Sequence, residues 1–357
     1  MSPEPTTNTV KKPLIYSGFF KPSDGLEPST PSLPCAARGN RLQPTATVLA
    51  QFRRFHGRAI CDRLRPVATT GLHKGSIFVA CQGNRTHVRS GFFPRKPTIT
   101  IYAMTPNYVA LETLKWPECE RLGAEGAVGL VVLASLEQHG PHLPLATDSL
   151  LGERLAREVA ERLSGPVVGV PVVRGGLSTH HLAFPGSVTI PPDAYRALVD
   201  AYLEGLARMG IRRIGVFSAH GGNFAFVGEL VAAYEGKARL AGYSDLARFL
   251  QVMFDAAAAC GLRAPETDVH AGGLETSMML AAFPELVCPF DGVAGYTAAE
   301  PGWLERTFSD GVRAVSESGV LGDLTGASAE VGEAVFAALA DELAGFFAER
   351  LELARTS

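Results

Sequence analysis

The chain has 357 residues, 46% of them hydrophobic, and a formal net charge of −3, values of a soluble globular protein with room for one large domain or two small ones. No apolar run is long enough to span a membrane, and the N-terminus lacks the charged-then-apolar layout of a secretory signal. The near-neutral charge averages two unlike segments: residues 1–104 hold 15 Lys and Arg against 4 Asp and Glu, which leaves 18 against 32 for the rest.

The first segment is rich in Pro, Ser, Thr, Gly and Arg and carries no sustained helical or alternating pattern. A basic, loop-like arm would suit nucleic acid. Against that, Gly25-Leu26-Glu27-Pro28 and Gly83-Asn84-Arg85-Thr86 resemble translated transfer-RNA genes, read in two frames of the T-arm. Residues 1–103 are therefore expected to be a disordered, non-native extension. The functional domain is expected to be 104–357, starting at Met104, and its acidity predicts no affinity for nucleic acid. The six Cys contain no CxxC pair, which points to the reducing cytoplasm and not to a disulfide framework.

From Met104 onward strands and helices alternate. Val128–Ala134 is an apolar run that reads as a buried parallel strand. After Ser135 and Leu136 come Glu137-Gln138-His139-Gly140-Pro141-His142, and then a helical pattern over Asp148–Leu163. Val167–Val173 reads as the next strand, followed by Gly175-Gly176-Leu177-Ser178-Thr179-His180-His181 and by a helix over Pro192–Met209 that opens on Pro and stops at Gly210. A strand over Arg213–Phe217 leads into His220-Gly221-Gly222-Asn223 and a helix over Asn223–Tyr234. A weaker strand, Arg239–Tyr243, precedes a helix over Leu246–Ala259. Asp268-Val269-His270-Ala271-Gly272-Gly273-Leu274-Glu275 opens a helix over Leu274–Ala282. The stretch 289–325 reads as loop-rich, and Ala329–Leu353 as a final helix. This alternation predicts an α/β fold of three layers, α/β/α, with a central, mainly parallel sheet.

Of nine His, all six beyond residue 104 fall in these four motifs, at strand ends. In open α/β sheets that is where ligands bind. In an extended segment Glu137 and His139 point to one side. Asp148, returning from the next helix, reads either as a bridging carboxylate or as a helix N-cap. His220 reads as a ligand or a turn residue, with Gly221, Gly222 and Asn223 either opening an oxyanion site or capping a turn. Glu275 reads as a ligand or as first-turn compensation of the helix dipole. A His not held by metal, such as His270, could serve as general acid or base. Adjacent side chains diverge, so one of His180 and His181 is expected to face the site, with His181 in contact with substrate or held by a structural hydrogen bond. Three carboxylates and at least three imidazoles are enough for two divalent cations, zinc or manganese. A hydroxide bridging such a pair can attack an amide carbonyl.

The motifs Glu137 to Pro144, Phe184-Pro185-Gly186-Ser187, His220 to Asn223, His270 to Ser277 and Gly319-Val320-Leu321-Gly322-Asp323 resemble the creatininase (creatinine amidohydrolase) family from about Trp116 to the last helix. The resemblance implies two zinc or manganese ions per subunit in a homohexamer. Glu137 and His220 would hold one, His139 and Glu275 the other, with Asp148 between them and His270 passing a proton to the leaving nitrogen. The expected activity is hydrolysis of a small amide, lactam or formamide. The alternatives are a peptidase of the mycofactocin-precursor type, a formamide hydrolase of flavin or deazaflavin synthesis, and a catalytically silent metal-binding scaffold. Creatinine-hydrolysing members carry a glutamate where this chain has Gly222, and two active-site tryptophans where it has the regions around Tyr243 and Thr267. Both departures weigh against creatinine itself.

Overall fold

Five short strands pair in parallel to form one sheet in the computed structural model, which describes residues 107–355. The expectations for residues 1–103 lie outside the described residues. In chain order the elements are β1 (Tyr108–Ala110), α1 (Trp116–Ala124), β2 (Val128–Leu133), α2 (Thr147–Glu161), β3 (Val167–Gly169), α3 (Pro192–Arg208), β4 (Arg213–Ser218), α4 (Phe224–Ala232), β5 (Arg239–Gly242), α5 (Leu246–Ala259), α6 (Gly273–Ala282), α7 (Trp303–Ser309) and α8 (Ala329–Arg350). The strand order is β1-β3-β2-β4-β5. The register is set by Val128↔Val167, Val128↔Arg213 and Arg213↔Arg239.

Strand β2 shows why the architecture follows from the sequence. All six of its residues are buried, as a strand covered on both faces requires. Val128, Leu130 and Val132 point into one core, with α2, α5, α6 and α8. Val131 and Leu133 point into the other, with α3, most of α4 and Leu122 of α1. The predicted three-layer α/β/α fold with a parallel sheet is the one observed. Gly129 lets α3 lie close to the sheet, because a Cβ there would sit 2.8 Å from Leu206 Cδ1.

Several boundaries differ from the expectations. The pairing of β3 ends at Gly169, and Val173 rejoins the sheet only as a single bridge to Leu133. The elements β1, α1 and α7 were not expected. A three-residue strand is too short to show alternation, and α1 buries only Leu122, too little to print a helical stripe.

From β2 the chain passes through α2 to β3 on one side, whereas β4 lies on the other side of β2. The loops after β2 and β4 therefore flank the point where the strand order turns, the usual ligand crevice of an open sheet. Helix α6 is held there by α8. Ser328 caps α8 through Val331 N at 3.3 Å, and its own N–H donates to Ser277 Oγ at 3.1 Å. At Gly332 a Cβ would collide with the Ser277 carbonyl. Gly332→Ala is therefore expected to push α8 off α6 and cost about 1–3 kcal/mol. Urea unfolding would show this as a lower midpoint with unchanged slope, and an unchanged midpoint would refute the contact's importance.

Candidate metal centre

The loop after β2 carries Ser135, Glu137 and His139. It is pinned by Glu137 N–H donating to Leu145 O at 3.0 Å and turned at Gly140, where φ is +66°. Asp148 sits in the first turn of α2, whose N-cap is Ala146 with no side-chain cap. The capping alternative for Asp148 therefore fails, and its carboxylate points back toward the loop. His220 follows the end of β4, and Glu275 lies in the first turn of α6. Between His270 and α6 the backbone at Ala271 is left-handed, with φ +53°, a conformation that costs a non-glycine residue about 1 kcal/mol or more. It is held there by Ala271 N–H donating to Glu275 Oε2 at 2.6 Å.

These side chains converge. Asp148 Oδ1 lies 2.9 Å from His139 Nε2, and Oδ2 lies 3.2 Å from His220 Nδ1. Ser135 Oγ donates to Oδ2 at 2.7 Å. Glu137 Oε1 is 3.1 Å from His220 Nδ1 and 3.2 Å from His181 Nε2. Glu275 Oε2 is 3.7 Å from His139 Nε2. Two triads result, Glu137–Asp148–His220 and His139–Asp148–Glu275, each with candidate ligand atoms within 4.8 Å of one another. Asp148 is common to both. A third triad joins Glu137 and His139 to His270.

A divalent cation fits this donor set on structural grounds. Three buried or nearly buried carboxylates converge, and each of their ion pairs among the described residues is to an imidazole. Buried carboxylates without fixed positive charge are costly. Both oxygens of Glu137, a residue with no exposure, lack a hydrogen bond of acceptable geometry. The imidazoles are also held as ligands usually are, by the nitrogen facing away from the cluster. His139 Nδ1 donates to Glu137 O at 3.1 Å, and His220 Nε2 lies 3.3 Å from Ser178 Oγ and 3.4 Å from Leu177 O.

The charges of the cluster follow from this packing. Burial alone would pull His139 down, but the carboxylates of Asp148, Glu275 and Glu137 together outweigh it and push it up to about 10. His220 is raised for the same reason by Glu137 and Asp148. Asp148 is lowered, because His139 and His220 outweigh its burial. Burial raises Glu275 to about 7. His181 and His270 are both lowered, first by burial and then by neighbouring imidazoles.

The remaining expectations divide. His270 joins the cluster: its ring centroid lies 4.4 Å from that of His139 and 4.5 Å from that of His181. Both members of the His180–His181 pair face the site, contrary to the expectation of one. They occupy a 3₁₀ turn, Thr179–His181, where neighbours project about a third of a turn apart and not on opposite sides. His180 stacks on His220 at 5.8 Å and touches Phe308 at 4.8 Å. Gly221 faces open space, whereas a Cβ on Gly222 would sit 2.5 Å from His220 Nε2. Asn223, expected to contact substrate, is a brace instead. Its Oδ1 accepts from Leu177 N at 3.1 Å, and its Nδ2 donates to Ala134 O at 3.1 Å and to Ser218 Oγ at 3.3 Å, and the residue is fully buried. Neither Asn223 nor Asp148 caps its helix.

Four residues near the centre were missed as site residues. Gln138 sits inside the first motif and Ser135 two residues before it, with nothing in their type to mark them. His142 Nε2 meets Thr276 Oγ1 at 2.8 Å, fastening the first loop to α6, and burial lowers it to about 4. Asp268 accepts from Gly273 N at 2.9 Å and Leu274 N at 3.3 Å, and burial raises it to about 7. It caps α6 from five residues upstream, beyond the spacing that a capping pattern in sequence reveals.

With this geometry in view, the comparisons agree. The family model described as creatininase, creatinine amidohydrolase, matches residues 112–347. The mycofactocin precursor peptide peptidase of Mycolicibacterium smegmatis is 37% identical over 212 residues, 58% of this chain and 79% of the relative. The creatinine amidohydrolase of Pseudomonas putida is 30% identical over 188 residues, 49% of this chain and 72% of the relative. A solved mutant creatininase of the Zn–Zn type superposes with a TM-score of 0.54 at 26% identity, covering 69% of this chain and 99% of that one. A creatininase described as the Mn form gives 0.52 with the same identity and coverage. The chain belongs to the creatininase family and is a hydrolase of that family. Among the described residues no helix is long and apolar enough to cross a membrane.

The charges predict a pH dependence for protein stripped of metal by a chelator. A His raised from 6.5 to about 10 contributes stability that is full below 6.5 and lost as pH climbs toward 10. Above about 8 the carboxyls raised to about 7 are ionised, so the further loss follows the two raised imidazoles, His139 and His220. Stripped protein should melt at progressively lower temperature between these limits, and His139→Gln should flatten the curve. A parallel slope in that variant would refute the assignment.

Proposed function

We propose that this creatininase-family member is a metal-dependent hydrolase that cleaves the C–N bond of an amide. The observation that carries the reading is Asp148, whose two oxygens face His139 and His220 separately while serving both candidate triads. In this reading Glu137 and His220 would hold one cation and His139 and Glu275 a second, with Asp148 available to both. Such a pair, when bound, acidifies water and polarises a carbonyl. The protein's own residues do the rest. Ser135 and the Glu137 carbonyl orient Asp148 and His139. The closed packing around Glu137 excludes bulk water. His270, buried against His139 and His181, carries a proton to the leaving nitrogen. The same reading carries a cytoplasmic homohexamer.

The substrate is an amide, lactam or formamide of small size, or a peptide. The peptide reading is favoured by one observation, the identity of 34–37% to mycofactocin precursor peptide peptidases. Creatinine is disfavoured, because the packing of Gly222 against His220 Nε2 and Leu177 O leaves no room for a side chain there. Trp116 is exposed on the surface, and Trp303 packs beside Tyr296.

The test uses the full chain. Plasma mass spectrometry should find about two divalent ions per subunit, with clear loss in His220→Ala. The metal-loaded protein should hydrolyse a member of a panel of short peptides, formamides and lactams, with activity removed by chelation. Absence of bound metal after exposure to zinc and manganese would refute the centre. Bound metal without hydrolysis of any amide would favour the silent scaffold.

A further inference from the structure

Gln138 sits between the residues proposed to hold metal but offers no metal ligand of its own. It is 5% exposed. Its Oε1 accepts from Gly140 N at 2.9 Å, and its Nε2 donates to Gly319 O at 3.1 Å. A backbone N–H can only donate and a backbone C=O can only accept, so these two partners fix which end of the amide is which. Gly319 makes this possible. Its φ is +82°, and a Cβ there would overlap the Gln138 amide.

We propose that Gln138 is a positioning residue that sets the tautomers of His181 and His270, so that His181 presents an N–H, and His270 a bare nitrogen, toward the carboxylate cluster. The proposal rests on the hydrolase reading for its consequence, but not for its test. The hydrogens can be counted. The amide nitrogen has two. One goes to Gly319 O, and the other faces His181 Nδ1 at 3.0 Å. His181 Nδ1 therefore accepts, and the ring hydrogen sits on Nε2, 3.2 Å from Glu137 Oε1.

His270 Nε2 lies 2.9 Å from the same amide nitrogen and 2.8 Å from the Gln138 main-chain oxygen. Both amide hydrogens are already engaged. His270 Nε2 therefore bears its own hydrogen and donates it to the main-chain oxygen. Its Nδ1 is left bare, 3.8 Å from Glu137 Oε1. The opposite assignment would offer two hydrogens to three acceptors. It would also set two lone pairs against each other at 2.8 Å between buried groups.

One residue thus gives two neighbouring imidazoles opposite roles toward the cluster. His181 Nε2–H is the donor placed for negative charge that develops on a carbonyl oxygen. His270 Nδ1 is the acceptor placed for the proton released as water attacks. As the C–O bond forms, the O–H bond breaks and its proton moves to Nδ1. As the C–N bond breaks, that proton moves to the departing nitrogen, and the imidazole is restored.

The experiment is a two-bond ¹H–¹⁵N spectrum of zinc-loaded full-length protein labelled in its histidine rings, with signals assigned by His181→Gln and His270→Gln. Wild type should show the Nε2–H pattern for both rings, with no zinc-shifted nitrogen on either. In Gln138→Glu, read in alkaline buffer, an acceptor replaces the donor. The His181 hydrogen should move to Nδ1, while His270, held by the main chain, keeps Nε2–H. An Nδ1–H pattern for His181 in wild type would overturn the proposal, whether or not the variant folds. So would an unchanged His181 in a folded variant, or a zinc-shifted Nδ1 on His270. Because the spectra require no substrate, failure of this assignment is distinguishable from failure of the hydrolase reading.

Discussion

Three carboxylates, Glu137, Asp148 and Glu275, are brought together buried or nearly buried, and their ion pairs among the described residues are all to imidazoles. Like charges at such distances repel, and desolvation adds to the cost. The structure around them is arranged to tolerate this. Asp148 is divided between two rings, Glu275 is drawn aside to the Ala271 amide, and the pKa values of His139 and His220 are raised by the neighbouring carboxylates. Glu137 remains the least compensated, with both oxygens lacking a well-aligned donor. The strongest demand for a cation therefore falls between Glu137 and Asp148, at the end of the central strand β2.

The parallel sheet makes that concentration of charge possible. Strands β2 and β4 are buried on both faces, so the loops that leave their C-terminal ends are anchored in the two cores. Helix α6 does not alternate with a strand. It is brought to the same place by α8, and the His142–Thr276 contact joins it to the loop after β2. The centre is thus assembled from three separate stretches of chain, each fastened to the frame by a different device. Crowded glycines let these stretches meet, as at Gly332 against Ser277 and Gly319 against Gln138.

Much of this could be read from the sequence, for reasons specific to each element. Val128 to Leu133 had to be a buried strand, because nothing in it tolerates water. The carboxylates and imidazoles that follow it could be recognised by type. What could not be read was direction. Asn223 stands at the N-cap of its helix and Asp148 two residues beyond the N-cap of α2, yet neither side chain caps its helix. Asp148 turns to Ser135 and two rings that are distant in the chain, and Asn223 to backbone groups of Ala134 and Leu177. A local rule cannot anticipate such partners. The His180–His181 pair was misjudged because its backbone is a 3₁₀ turn and not an extended strand. Gln138 and Ser135 escaped notice because their roles lie in whom they touch, not in what they are.

The devices that hold the centre share one property. Asn223, Gln138 and Asp268 each bind main-chain groups at two or more points. A main-chain partner is fixed by the fold, whereas a side-chain partner must itself be held. These contacts remove rotamer freedom before any ligand arrives, so a cation or substrate meets a site whose ordering cost has already been met by folding. The left-handed Ala271 belongs to the same arrangement. Its strain is balanced by the bond to Glu275 and by burial among Val320 and Leu324. The outer residues are different. Gly221 lies open, and His180 rests against exposed Phe308. The side chains that brace the interior are thus bonded to the backbone, whereas the rim around Gly221 and Phe308 is open.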